Sequence, residues 1–99
     1  ALRWTRLQAD SLGVDASRVA VYGVSAGGHL AASTVTIGCP EALAERGADA
    51  LLLLSPAVDV AGDAHFGRLL RGRATAAEVS PAANGRADMP PTVLVQGAE

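Results

Sequence analysis

The chain has 99 residues, 49% of them hydrophobic and 18% charged, with a formal net charge of −2. That is one domain's worth of sequence at most, too apolar for a disordered chain, and no basic cluster exceeds Arg68 to Arg73, so no nucleic-acid footprint is visible. A single cysteine, Cys39, excludes an internal disulfide framework, and the absence of lysine excludes a Schiff base or a Walker-type phosphate loop.

In chain order, Ala1 to Leu12 reads as a helix. Trp4, Leu7 and Ser11 or Leu12 recur at three- and four-residue spacing, with Arg3, Arg6 and Asp10 off that stripe. Gly13 falls just past its end. After a polar connector, Val19 to Tyr22 is apolar at every position, the pattern of a strand buried on both faces of a parallel sheet. Gly23 to Gly28 is a turn. His29 to Ile37 predicts a helix, ended by Gly38 and blocked by Pro40. Glu41 to Gly47 reads as a short helical connector. Ala50 to Leu54 is a second strand and the longest strictly apolar run, far too short for a membrane span. Ser55-Pro56 stops it. Val58 to Arg73 is loop-like around one short helix near Phe66 to Leu70, and Thr75 to Val79 forms a helical turn. Ser80 to Pro91 is loop, and Thr92 to Val95 is a third strand. Apolar strands alternating with helices imply an α/β architecture with a parallel sheet and right-handed crossovers. Three such strands do not close a domain. Residues 1–99 therefore read as the central part of a single domain, truncated at both ends. Alone, such a piece is expected to be aggregation-prone.

Gly23-Val24-Ser25-Ala26-Gly27 is a G-x-S-x-G motif that follows a predicted strand and opens a predicted helix, the setting of a nucleophile elbow. A sharp strand-to-helix turn would hold Ser25 in a strained conformation with its hydroxyl exposed. Gly23 and Gly27 would remove side chains that collide across that turn. The backbone N–H of Ala26, at the positive end of the helix dipole, would donate to the oxyanion of a tetrahedral intermediate. The plainer role for Ser25 is a helix N-cap.

Val19 to Ser33, VAVYGVSAGGHLAAS, resembles the nucleophile region of α/β-hydrolases. It is most similar to the bacterial esterase and lipase branch related to hormone-sensitive lipase and feruloyl-type esterases. Arg3-Trp4 and Leu12 to Val19 resemble the helix and connector before that strand. Ser55-Pro56-Ala57-Val58-Asp59, Ser80-Pro81 and Met89 to Gly97 resemble the segments after it. The resemblance implies a three-layer α/β/α fold with a parallel sheet. It also implies hydrolysis of a small-molecule carboxylic ester through an acyl-enzyme on Ser25, with no cofactor and no metal. The triad order is Ser, then Asp or Glu, then His. The resemblance places the acid at the position following Glu99, the histidine later, and a second oxyanion segment upstream.

Other acid candidates within the chain are Glu99, by a one-residue shift of register, and Asp59, which follows the second strand. His29 lies one helical turn past Ser25 and reads as a structural or pocket-lining residue, since the triad order puts the base after the acid. His65 reads as a solvated loop residue. Asp59, Asp63 and His65 together match no known metal-ligand spacing. Cys39 is read as a buried or incidental thiol. Two further readings stand beside the esterase. Gly23 to Gly28 is one substitution from the G-x-G-x-x-G of a dinucleotide-binding domain, with Ser25 where the second glycine would let the pyrophosphate approach. The elbow could also be idle in a catalytically incomplete relative. Compartment and oligomeric state are not legible.

Overall fold

A computed structural model describes residues 1–38 and 47–98. Cys39, the connector over residues 41–46 and the acid candidate Glu99 lie outside the described residues. The elements run α1 (Leu2–Leu7), α2 (Ala9–Leu12), β1 (Ala20–Val24), α3 (Ala26–Thr36), β2 (Ala50–Leu54), α4 (Ala64–Leu69), a 3-10 turn (Ala82–Asn84) and β3 (Thr92–Val95).

The first predicted helix is broken in two. Gln8, at φ −97° and ψ 8°, ends α1 and precedes α2. Gly13 then closes α2 in the left-handed conformation at φ +69°, where a glycine carries no Cβ penalty. Helix α3 begins three residues earlier than its apolar pattern suggests. Gly27 and Gly28 sit in its first turn, where helix propensity matters less than the geometry of the preceding turn. Gly38 follows its end at φ +70°. The segment containing His65, predicted as loop, is part of α4. The Asp63 side chain caps that helix by accepting from the Phe66 N–H at 2.7 Å.

The three strands form one parallel sheet in the order β1-β2-β3. Val24, Leu54 and Val95 lie side by side in register. The chain therefore leaves all three strands at one edge, where Ser25, Ser55 and Gln96 follow. Alternate residues of each strand point to opposite faces. Leu51 and Leu53 face α3 and form the core with Ala31, Ala32 and Ala48, against which Val21, Val35 and Val58 pack. Two small alanines on α3 let the helix lie close to the sheet. The other face carries Tyr22, Val24, Leu52, Val93 and Val95, all exposed. The parallel sheet with helices stands as predicted. The sheet and one helical layer are formed among the described residues, and the second apolar face is open.

The opposite edge of the sheet is held by charge. The Arg6 guanidinium pairs with Asp49 at 3.0 Å and also donates to the carbonyls of Ala16 and Gly47. The Asp49 carboxylate accepts the Val19 N–H at 2.7 Å. The pair therefore ties α1 to the entries of both β1 and β2. Both side chains are largely buried, so removing either partner would strand a charge.

Candidate active site

Between the last residue of β1 and the first of α3 there is one residue, Ser25. A reversal that tight forces it to φ +53° and ψ −116°, a conformation that costs a non-glycine residue about 1–3 kcal/mol. The surrounding backbone holds it there. The Ser25 N–H donates to Leu54 O at 3.0 Å, and its carbonyl accepts from both Ala57 N–H and His29 N–H at 3.2 Å. The Ser25 side chain is exposed and makes no capping bond to the helix it precedes. An N-cap serine has extended backbone and a side chain turned onto the helix N–H groups, so the plainer reading of Ser25 does not describe it. The N–H of Ala26 is one of the first-turn donors that have no intrahelical acceptor, and the helix dipole is positive there.

The glycines divide differently from the motif-based expectation. A Cβ on Gly23 would stand 2.3 Å from the Gly27 carbonyl oxygen, so only glycine fits at that position. A Cβ on Gly27 would meet nothing within 4 Å, which corrects the collision assigned to it. What Gly27 contributes to the close approach is its backbone. The second glycine with a steric reason is Gly28, where a Cβ would stand 2.6 Å from Cβ of Pro56. Sequence reasoning missed that contact. The adjacent glycines after Ser25 were its only signal, and the Pro56 partner lies on another strand's exit.

The remaining candidates spread around this elbow. His29 is buried at 8% exposure, with its Nε2 2.7 Å from the Val79 carbonyl and its ring tilted against Phe66 at 5.1 Å between centroids. A carbonyl oxygen only accepts, so Nε2 carries a proton and donates it to Val79. That nitrogen is not free to serve as a base toward Ser25, in keeping with a structural role. His65 is exposed on α4. Asp59 is exposed between Val58 and Val60, and no hydrogen bond joins it to either histidine among the described residues. Asp63 is committed to capping α4. No group of three or more His, Cys, Asp or Glu among the described residues could hold a metal ion. No helix among them is long and apolar enough to cross a membrane.

Ser80, in a segment whose composition predicts an exposed loop, is fully buried. Its hydroxyl donates to Val58 O at 3.3 Å and accepts from Val60 N–H at 3.1 Å. It thereby closes the segment after β2 onto itself on both sides of Asp59.

A family model described as alpha/beta hydrolase fold matches residues 1–83. No curated protein matches the chain. Among solved structures, the chain is similar to esterase 2 of the planctomycete Thermogutta terrifontis. The propionate-bound form is 35% identical with a TM-score of 0.76, over 94% of this chain and 38% of that one. The apo form is 36% identical with a TM-score of 0.76, over 94% and 37%. The form phosphonylated by sarin is 32% identical with a TM-score of 0.76, over 94% and 39%. The chain thus spans less than half the length of the structures it matches.

Proposed function

The chain belongs to the alpha/beta hydrolase fold family, and from that premise we propose that it is the central part of a carboxylesterase-type serine hydrolase, with Ser25 as nucleophile. The observation that carries this reading is Ser25 itself: a non-glycine residue held at φ +53° at a strand-to-helix turn, exposed and without a capping bond. Strain of that kind persists only where the surroundings over-determine it, and it clusters at reacting residues. In the proposed reaction Ser25 Oγ attacks the ester carbonyl and its proton passes to a histidine supplied outside this chain. The Ala26 N–H holds the oxyanion. The alcohol leaves with that proton, and water then releases the acid from the acyl-enzyme. The acid of the triad is likewise supplied outside the described residues.

The similar esterase binds propionate in one form and is phosphonylated by sarin in another. By analogy we place this protein's substrates among small-molecule esters of short carboxylic acids. The dinucleotide-binding alternative rests on the glycine spacing alone, and Ser25 stands where its second glycine would be needed. The test is Ser25→Ala in the full-length protein, with turnover of p-nitrophenyl propionate and the thermal midpoint measured together. Turnover should fall by at least about 10³-fold while the midpoint stays within a few degrees. Retained turnover would overturn the assignment.

A further inference from the structure

We propose that His29 is a positioning residue, which pins the β2–β3 connection against the nucleophile elbow and so sets the substrate-side wall beside Ser25. This rests on the serine hydrolase reading of Ser25. The connection, residues 55–91, leaves the sheet at the same edge as Ser25. It returns to the first turn of α3 at three places. Near its start, the Ala57 N–H donates to Ser25 O, and Pro56 lies against Gly28. In its middle, Phe66 on α4 packs on the His29 ring. Farther along, the Val79 carbonyl accepts from His29 Nε2.

The rest of the segment is built as one unit around these points. Ser80 joins Val58 and Val60, and the Ala82 N–H donates to Val58 O at 2.9 Å. Asn84 Nδ2 donates to the carbonyls of Ala77, Glu78 and Ser80. A unit closed on itself in this way moves as one piece if its tie to the elbow is released. The middle and far ties both run through the side chain of one residue, His29. Its backbone N–H meanwhile holds the strained Ser25 carbonyl.

The consequence is a division between binding and chemistry. Loss of the His29 side chain should disturb the wall while the elbow, fixed by backbone bonds, stays in place. The test compares His29→Phe, which keeps a ring and loses the donor, with His29→Gln, which keeps a donor. Three measurements are made on the full-length protein: KM and kcat for p-nitrophenyl esters, the rate of phosphonylation by a small fluorophosphonate, and amide exchange over residues 75–84. His29→Phe should raise KM by about 3- to 10-fold, the scale of one lost hydrogen bond. It should leave the phosphonylation rate within about threefold and speed exchange of residues 75–84. His29→Gln should restore a good part of both. If His29→Phe does not fold, Phe66→Leu loosens the middle tie without altering α3, and the same split is expected of it. Unchanged KM and exchange would overturn the proposal. So would an equal fall in kcat and phosphonylation at constant KM, since His29 would then act on the nucleophile itself. If the unmutated protein is not phosphonylated at all, the hydrolase reading fails, and exchange, which needs no turnover, still decides whether His29 holds the segment.

Discussion

At the scale of single residues, the elbow depends on two exclusions of side-chain volume and one strained backbone. Gly23 faces the Gly27 carbonyl and Gly28 faces Pro56, whereas Gly27 faces open space. Gly23→Ala should therefore destabilise the protein by about 3 kcal/mol or more, because the obstructing atom is backbone and cannot rotate away. Gly27→Ala should be neutral or stabilise by up to about 1 kcal/mol, since alanine is the better helix former. Thermal unfolding of the two variants separates them. The motif made Gly23, Ser25 and Gly27 visible in the sequence because their spacing is regular. Gly28 was not singled out on physical grounds, because the atom it avoids belongs to Pro56, 28 positions away. His29 was legible as a non-base only through the triad order. Its partners Phe66 and Val79 are set by tertiary contact and leave no local pattern.

At the scale of elements, the strands were the most legible part. Ala50 to Leu54 and Thr92 to Val95 match their expected bounds, because continuous apolar runs bounded by turn residues leave few alternatives, whereas β1 runs Ala20–Val24 and takes in Gly23 and Val24 of the expected turn, which its pairing with β2 extends. Helix ends were less so. The break at Gln8 has no glycine or proline to announce it, and α3 starts on glycines that a propensity argument assigns to the turn. The turn at residues 76–79 has a readable cause in Thr75-Ala76-Ala77-Glu78, a reciprocal capping arrangement. The Glu78 carboxylate accepts from the Thr75 N–H at 2.6 Å and from its hydroxyl at 2.9 Å, while the Thr75 hydroxyl accepts from the Glu78 N–H. The Thr75 backbone bond, then its hydroxyl, hold the Glu78 carboxyl below its ordinary value. A carboxyl lowered in the folded state stabilises above its unfolded pKa and loses that contribution as pH falls through the folded one. The turn carrying Val79 should therefore loosen on acidification. The Thr75 amide resonance should titrate with a midpoint below the ordinary carboxylate range, and Glu78→Gln should abolish that titration.

At the scale of the molecule, the sheet determines both what the chain can do and what it leaves open. Three parallel strands bring Ser25, Ser55 and Gln96 to one edge, and α3 covers one face over β1 and β2, leaving Leu94 of β3 exposed beside it. Tyr22, Val24, Leu52, Val93 and Val95 form the other face, where Tyr22 is 59% exposed. Taken alone, the 99-residue chain should bind a hydrophobic dye and aggregate, without a sharp unfolding transition; a cooperative melt of monomeric chain would count against this. The parallel α/β class was legible from the order of apolar runs. That some strand surface would lack cover was legible as well, but which face stays open was not, since a run apolar at every position reports only that both faces seek cover. The proposed role of Ser25 as nucleophile is open to covalent labelling. The full-length protein is treated with a fluorophosphonate and the modified peptide is sequenced by mass spectrometry. One label per chain, on Ser25, is expected. Absence of label, or label on Ser55, which also ends a strand at positive φ, with Ser25 unmodified, would contradict it.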